Sequence, residues 1–234
     1  MLTSSFITKK IPGFIALLIY ATTMSGILMF FSKPTLIGEV SDVTGAVFSL
    51  LTGSAGNPGF LVTVAILSLI PFLLKLPRKK VFILITQFAV LLVLSFAAKT
   101  ALKQFTEVPR PYSYQLQSLG IVESATGFYQ LTNAEKDAAI EAATNSVSYW
   151  RTSHWQGETN YSFPSGHTIF AAICVVFWGG FFCRRKNFIP AGILILWAIG
   201  VGVSRIWLGM HWPTDVLGSI GCAAVLYCLL PERE

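Results

Sequence analysis

The chain has 234 residues, of which 53% are hydrophobic and only 12% are charged, and its mean hydropathy is +0.64. Because an ordinary soluble domain carries about 25% charged residues, this composition indicates a membrane protein and argues against a typical soluble one. The formal net charge of +6 does not indicate nucleic-acid binding, since the positive residues form short clusters beside apolar runs and no basic face interleaved with aromatic residues.

The apolar runs predict an all-α, polytopic membrane bundle that forms a single domain over residues 1–234. We predict six transmembrane helices, at Gly13–Phe31, Phe60–Leu76, Val81–Ala98, Thr168–Cys183, Phe188–Val203 and Val216–Leu230. Several are shorter than the ~20 residues of an untilted span, so flanking aromatic residues and polar turns must complete them. The first follows two lysines, as a signal peptide would, but its apolar run continues past any cleavage site, which favours an uncleaved anchor.

Three basic clusters predict the orientation of these helices. They lie at residues 9–10, 75–80 and 184–186, and the positive-inside rule places them, together with both termini, in the cytoplasm. The loop Ser32–Gly59 has no positive bias and is predicted to be external. The loops 99–166 and 204–215 then fall on the same external face.

The loop 99–166 is the one long polar region of the sequence. Thr132 and Glu135 match a capping box ahead of an alanine-rich stretch to about Asn145, which predicts a short helix. The many aromatic residues between 112 and 160 indicate residence in the membrane interface. This subregion is either a packed cap or a moving lid, and His154 within it is predicted to have a structural or lid role, with substrate binding as the alternative.

Three short polar blocks interrupt the apolar runs, and the first is Lys103 followed after six residues by Arg110-Pro111. Pro109 and Pro111 predict an extended exit from the preceding helix, because a residue before proline avoids the helical conformation. Lys103 and Arg110 would then converge on a phosphate, one as a point charge and the other as a bidentate donor. The alternative is a pair of interfacial cations that reach lipid headgroups.

The second block is Pro164-Ser165-Gly166-His167, directly before the fourth apolar helix. We predict Ser165 as the N-cap, so that the backbone N–H groups of the first turn point outward as an anion site. Gly166 allows a close approach of the backbone to the anion. His167 would lie beside that anion. The alternative is an ordinary turn with an exposed histidine.

Ser204-Arg205, followed after five residues by His211 and after three more by Asp215, forms the third block. An arginine at the centre of a membrane helix costs about 2.5–3.5 kcal/mol, so Arg205 must face a polar cavity or the interface. Pro213 suits the first helical position, which puts Asp215 at the third, within reach of His211. A carboxylate on one imidazole nitrogen leaves the other free to attack phosphorus. In the alternative, Asp215 only caps the helix and His211 is an interfacial ring.

Together the three blocks resemble the signature of the type 2 phosphatidic acid phosphatase family at every defining position. Residues 149–159 and Leu208–Pro213 resemble in particular the bacterial phosphatidylglycerophosphatase B branch, and the likeness runs from about Lys99 to Asp215. The resemblance implies a lipid phosphatase of the bacterial inner membrane whose site faces the periplasm. Its substrates would be phosphatidylglycerophosphate, phosphatidic acid or undecaprenyl diphosphate. Membrane lipids are the other implied partners; no nucleic acid is implied, and the oligomeric state is left open.

The resemblance also implies a mechanism that uses no metal and no cofactor. His211, oriented by Asp215, would attack the terminal phosphorus and form a phosphohistidine, while His167 protonates the leaving oxygen and then assists water. The phosphate oxygens would be held by Lys103, Arg110, Ser165, Gly166 and Arg205. The residue types agree, because these blocks hold three cations and one carboxylate, whereas a metal site needs more anionic or imidazole ligands.

Two other interpretations stay open. Vanadium haloperoxidases share the anion-binding signature, but they are soluble, which the six apolar runs disfavour. A lipid-phosphate transporter or a non-catalytic binder is the second. Transporter sites lie near the bilayer midplane in broken helices, whereas these charges cluster at helix ends. The pairing of His211 with Asp215 also has no evident use in simple binding.

Overall fold

The computed structural model describes residues 2–30 and 35–231, with side chains from residue 9 onward. Helices make up the regular structure of these residues and confirm the all-α membrane bundle. In chain order they are α1 (Leu2–Phe30), α2 (Asp42–Ala55), α3 (Gly59–Leu73), α4 (Arg78–Thr106), α5 (Pro111–Ser118), α6 (Asn133–Ala142), α7 (Tyr149–Trp155), α8 (Gly166–Cys174), α9 (Gly180–Arg184), α10 (Phe188–Trp207) and α11 (Pro213–Leu229). Short 3-10 turns lie at Gly127–Gln130 and Ala143–Asn145, and a π-helical segment, Val175–Gly179, joins α8 to α9.

The predicted number of six spans is not confirmed. Within the described residues, four helical stretches are long and apolar enough to cross a membrane, namely α1, α4, α10 and the continuous stretch Gly166–Arg184. α2 and α3 pass the same test only together, and they meet at a bend of 62°. α11, which corresponds to the sixth predicted span, is apolar but only 17 residues long. Phe31, the last residue of the first predicted span, lies outside the described residues.

The sequence analysis did not predict α2, which lies within the predicted external loop Ser32–Gly59. Ser41 caps this helix, and its side chain accepts a hydrogen bond from the Thr44 backbone N–H at 3.3 Å. Gly45 on α2 lets the Trp150 ring pack against the helix backbone, since a Cβ at this position would lie 2.2 Å from the ring. The sequence did not predict α2 as a span because the helix is short and two of its residues are glycines.

Two helices continue beyond the spans predicted for them, and both extensions carry a cation. α4 runs past Ala98 to Thr106 and holds Lys103 in its last turn, and α10 runs past Val203 and holds Arg205 in its last turn. Alanine, leucine, lysine and glutamine favour the helix in the added part of α4. The lysines and the glutamine are polar, however, and so end the apolar run. The helices therefore deliver the two cations to the same end of the bundle.

The continuous stretch Gly166–Arg184 is the central helix of the bundle. Its side chains from residue 168 to residue 182 are all buried, against α1, α4, α10 and α11. Small residues allow these close crossings, as is usual where helices pack in lipid. A Cβ on Gly180, for example, would lie 2.7 Å from the Gly13 Cα, so α1 and α9 meet backbone to backbone.

Residues 112–160, called the cap below, build a second apolar core at one end of the bundle. Its large buried side chains include Tyr112, Phe128, Ile140 and Trp155. The predicted capping box is present: the Glu135 N–H donates to the Thr132 hydroxyl at 3.3 Å, and the Thr132 N–H donates to the Glu135 carboxylate at 2.7 Å. The predicted short helix is α6, extended to Asn145 by a 3-10 turn.

Candidate active site

The first polar block converges as the two prolines predict. Arg110 has extended backbone angles, φ −74° and ψ 152°, between α4 and α5. Its buried guanidinium donates to the Asn160 side chain at 2.6 Å and lies 3.0 Å from the Glu158 carboxylate. Lys103 reaches the same segment, with its ammonium 3.4 Å from the Asn160 side-chain oxygen and bonded to the Tyr161 carbonyl.

The second block opens the central helix, and Ser165 is its N-cap as predicted. The Ser165 hydroxyl accepts from the Thr168 backbone N–H at 3.3 Å, and the Ser165 N–H donates to the Ser219 hydroxyl of α11 at 2.9 Å. Gly166 faces Lys99, whose side chain would lie 2.7 Å from an added Cβ. The turn is therefore hydrogen-bonded to α11. Because Gly166 has no Cβ, the Lys99 side chain can lie close to its backbone.

The third block places His211 just before α11, with Pro213 at the helix start and Asp215 in the first turn. The Asp215 carboxylate accepts from the Trp212 N–H at 2.8 Å and lies 3.4 Å from His211 Nδ1. Burial lowers the pKa of His211 well below its usual value, and the charges of Arg110 and Arg205 lower it further. An unperturbed histidine has a pKa of ~6.5. Because the pKa of His211 lies below this value, its imidazole is neutral at about pH 7.

Arg205 lies buried behind the cavity, between α2 and the cap. Its Nη1 donates to the Thr52 hydroxyl at 2.6 Å, and its Nη2 lies 3.6 Å from the Glu158 carboxylate. Among the described residues, its Nε and Nη2 have no hydrogen-bond acceptor. The polar surrounding predicted for Arg205 is provided by Thr52 and Glu158, which the sequence analysis did not identify as site residues.

Glu158 and Asn160 are the main site residues that sequence reasoning missed. The Glu158 carboxylate lies between Arg110 and Arg205, at 3.0 and 3.6 Å. Burial alone would raise the pKa of Glu158, but the charges of Arg205 and Arg110 outweigh burial and hold that pKa well below its usual range. A clue was present in the sequence, since Glu158 is an acidic residue seven positions before Ser165 in a chain that otherwise avoids charge.

A cavity of about 540 Å³ joins this charged cluster to the apolar part of the bundle. Five of the eight predicted site residues line it, and these are Lys103, Arg110, Gly166, His167 and His211. The other three, Ser165, Arg205 and Asp215, are buried directly behind them. The opposite wall is apolar and is formed by Phe60, Leu61, Leu92, Phe96, Ile169 and Phe170. The shape suits a ligand with an anionic head and an apolar tail.

His154, the third histidine, lies outside the cavity lining. It is on α7, and its Nε2 lies 2.9 Å from the Ser49 hydroxyl of α2. Burial lowers the pKa of His154, and the charge of Arg205 adds to this effect. The contact joins the cap to α2, which agrees with a structural role, whereas nothing in this position favours substrate binding.

The geometry allows one line of chemistry in particular. A neutral imidazole held by a carboxylate, a second histidine at the same cavity and three cations around it can transfer a phosphoryl group through a covalent intermediate. In such chemistry, cationic side chains would stabilise the charge on the phosphate oxygens.

Comparison with known proteins finds phosphatases among the relatives of this chain. The chain is 33% identical to phosphatidylglycerophosphatase B of Haemophilus influenzae over 181 residues, which are 72% of this chain and 73% of that protein. It is also 33% identical to phosphatidylglycerophosphatase B of Escherichia coli over 147 residues, 62% of this chain. The match spans only 58% of the Escherichia coli protein. Undecaprenyl-diphosphatase BcrC of Bacillus subtilis is 42% identical over 66 residues, 28% of this chain and 31% of that protein.

The family profile extends over most of the chain. It matches residues 81–232, from the first turn of α4 to beyond the end of α11, and so includes all three polar blocks. The resemblance inferred from those blocks is thereby confirmed, and the chain belongs to the PAP2 superfamily.

Proposed function

We propose that the protein is a membrane lipid phosphatase that removes a terminal phosphate through a phosphohistidine intermediate and without a metal ion. His211 is the observation that carries the proposal. Its ring lines the cavity, its Nδ1 lies 3.4 Å from the Asp215 carboxylate, and its lowered pKa keeps it neutral. An imidazole in this state is prepared for attack through its other nitrogen. Simple binding of a phosphate would not need such a pair.

The reaction has two steps that use the same two histidines. His211 Nε2 attacks the phosphorus, and the bond from phosphorus to the lipid oxygen breaks. His167, protonated when the anionic phosphate is bound beside it, gives its proton to that oxygen. Water then gives a proton to His167 and attacks the phosphohistidine, so that the phosphorus–nitrogen bond breaks and inorganic phosphate leaves. Lys103, Arg110 and Arg205 stabilise the charge on the phosphoryl oxygens in both steps.

The apolar wall of the cavity supports a lipid as the substrate. Leu61 of α3 and Phe96 of α4 line the cavity and are also well exposed on the outside of the bundle, so the cavity opens between these helices. A lipid could keep its chains in the bilayer while its phosphate enters the charged cluster. The relatives named above suggest phosphatidylglycerophosphate and undecaprenyl diphosphate as substrates, and phosphatidic acid offers the same phosphomonoester group.

The test is phosphate release from these three lipids by the protein purified in detergent. We expect release from at least one lipid, unchanged by EDTA, and an acid-labile, base-stable 32P label on the protein when the reaction is quenched. His211→Ala should abolish both release and label while the protein remains folded. A strict requirement for added Mg²⁺, or near-full activity of His211→Ala, would refute the mechanism.

We also propose that the site faces the periplasm and that both termini are cytoplasmic. The basic clusters at residues 75–80 and 184–186 support this orientation, because they lie at helix ends remote from the cap. In a protein without native cysteines, Glu141→Cys on the cap should react with an impermeant thiol reagent added to intact cells. Lys186→Cys should react only after the membrane is opened. The reverse pattern would place the site in the cytoplasm.

A further inference from the structure

Ser162 is a buried residue that none of the three polar blocks contains, yet it touches the proposed nucleophile pair. It is 0% exposed. Its hydroxyl donates to the Asp215 carboxylate oxygen Oδ2 and lies 3.4 Å from His211 Nδ1. The same carboxylate oxygen lies 3.4 Å from His211 Nδ1. Ser162, Asp215 and His211 therefore form a closed triangle of polar atoms.

The proton inventory of this triangle fixes the state of His211. A serine hydroxyl has one proton and two lone pairs, and an ionised carboxylate only accepts. Because the Ser162 proton goes to Asp215, both oxygens that face His211 Nδ1 are acceptors. The imidazole must then carry its proton on Nδ1, and Nε2 keeps its lone pair. Asp215 Oδ2 thus accepts from both the Ser162 hydroxyl and the Trp212 N–H, the latter at 2.8 Å.

The position of Ser162 is itself fixed by the first polar block. Its backbone N–H donates to the Val108 carbonyl at 2.7 Å, and its carbonyl accepts from the Lys103 ammonium at 3.4 Å. The Ser162 hydroxyl therefore lies on a segment that is held by α4 and by the residues directly after it. A group held at both backbone atoms and fully buried loses little entropy when it orients a neighbour.

We infer that Ser162 is a positioning residue of the phosphoryl-transfer reaction, which holds Asp215 and the Nδ1–H tautomer of His211 so that Nε2 points to the phosphorus. The inference rests on the proposed function, because it takes His211 as the nucleophile. It adds a third hydrogen-bonded group to the pair of Asp215 and His211, located outside the family signature and acting only through these two residues.

The decisive experiment is a double-mutant cycle of Ser162→Ala and Asp215→Asn, measured as kcat and KM for phosphatidic acid. Alone, Ser162→Ala should lower kcat by about 10- to 100-fold, the range for a lost hydrogen bond to a charged group, with KM changed less than about threefold. In the Asp215→Asn protein the same substitution should cost less than about threefold, because its partner is already altered. Ser162→Thr, which keeps the hydroxyl, should recover most of the lost kcat.

Ser204→Ala is the matched control. Ser204 is equally buried, but within the described part of the chain its hydroxyl bonds only to the Val201 carbonyl of its own helix, at 2.6 Å. This variant should keep kcat within about twofold. If Ser162→Ala does not fold, Ser162→Cys, whose thiol is a weak donor, enters the same cycle.

Two results would overturn the inference: wild-type kcat in Ser162→Ala or Ser162→Cys, or losses that add fully with Asp215→Asn. Failure of the proposed function looks different, because the wild-type protein would then release no phosphate from any of the three lipids.

Discussion

The two sides of the charged cluster are built differently. The floor consists of residues 162–168 and 211–219, where the polar groups are nearly all buried and bonded to one another across α8 and α11, as in the pair formed by the Ser165 N–H and Ser219. The opposite side is the end of the cap, residues 157–160, where Glu158 and Asn160 are at least partly exposed and bind the cations Arg110 and Lys103.

Under the proposed mechanism, the difference separates the reacting side chains of the floor from the cations that hold phosphate on the side of the cap. On the floor, the histidine and its carboxylate already have the bonds that they need for attack, so little has to move. On the cap side, protein oxygens occupy the cations, and an entering phosphate must exchange with them. Substitutions on the floor should therefore act on kcat, and those on the cap side should act on binding.

Asp215→Asn on the floor is expected to have the largest effect. An amide in place of the carboxylate offers a donor where His211 needs an acceptor, which favours the wrong tautomer; the same change in serine protease triads lowers kcat by about 10⁴-fold. We expect a similar loss of kcat with little change in KM. Asp137→Asn, an exposed carboxylate on α6, is the control and should behave as wild type. If Asp215→Asn raised KM and left kcat unchanged, the proposed difference between the floor and the cap side would be contradicted.

His167→Ala should lower activity by about 10²- to 10⁴-fold on phosphatidic acid, the range for a general acid. The loss should be smaller on undecaprenyl diphosphate, because a phosphate leaves more readily than an alkoxide without a proton. The measurement is the ratio of kcat/KM values, wild type over variant, for each lipid. His154→Ala, which alters a histidine outside the cavity, should lose little on either. Equal losses on both lipids would mean that His167 only binds phosphate.

Glu158→Gln should have the smallest effect and the opposite sign. Phosphate and vanadate must displace the Glu158 carboxylate from Arg110 and Arg205, and a neutral amide is displaced more easily. We expect vanadate to inhibit about 10-fold more tightly, equivalent to ~1.4 kcal/mol. Glu141→Gln, the same change at an exposed site on α6, should leave inhibition unchanged. Weaker inhibition of Glu158→Gln would show that Glu158 supports the anion and does not compete with it.

The pH dependence sharpens this test. Because the pKa of Glu158 is held below its usual range, the carboxylate stays ionised at every pH above the ordinary glutamate value of ~4.3. The stabilising ion pairs are therefore complete above that pH and are lost only as pH falls through the depressed folded pKa. The difference in vanadate inhibition between wild type and Glu158→Gln should stay constant from about pH 8 to about pH 5.

The features that the sequence predicted correctly follow local rules. The Ser165 cap, the Thr132–Glu135 capping box and the placing of Pro213 and Asp215 in the first turn of α11 each depend on residues within four positions. Such geometry is set by the backbone of one turn, so a single sequence suffices to recognise it.

The features that escaped prediction depend on distant parts of the chain. Thr52 meets Arg205 across 153 positions, and Glu158 meets Arg110 across 48. No periodicity or spacing announces such contacts. α2 was missed for a different reason: a 14-residue helix with two glycines, ending before Gly56-Asn57-Pro58, resembles a loop by composition. The contribution of α2 to the site follows from two contacts in the structure: Ser49 contacts His154 of the cap, and Thr52 contacts Arg205.

The proposed entrance between α3 and α4 also bears on how the rate of such an enzyme is controlled. A substrate that arrives through the side of the bundle diffuses in two dimensions, and its relevant concentration is its mole fraction among the surrounding lipids. Diluting the substrate with inert lipid should therefore slow the reaction even when its total amount in the tube is constant. Diluting the vesicles with buffer should not. The cell would then set the rate of this reaction through the composition of one leaflet.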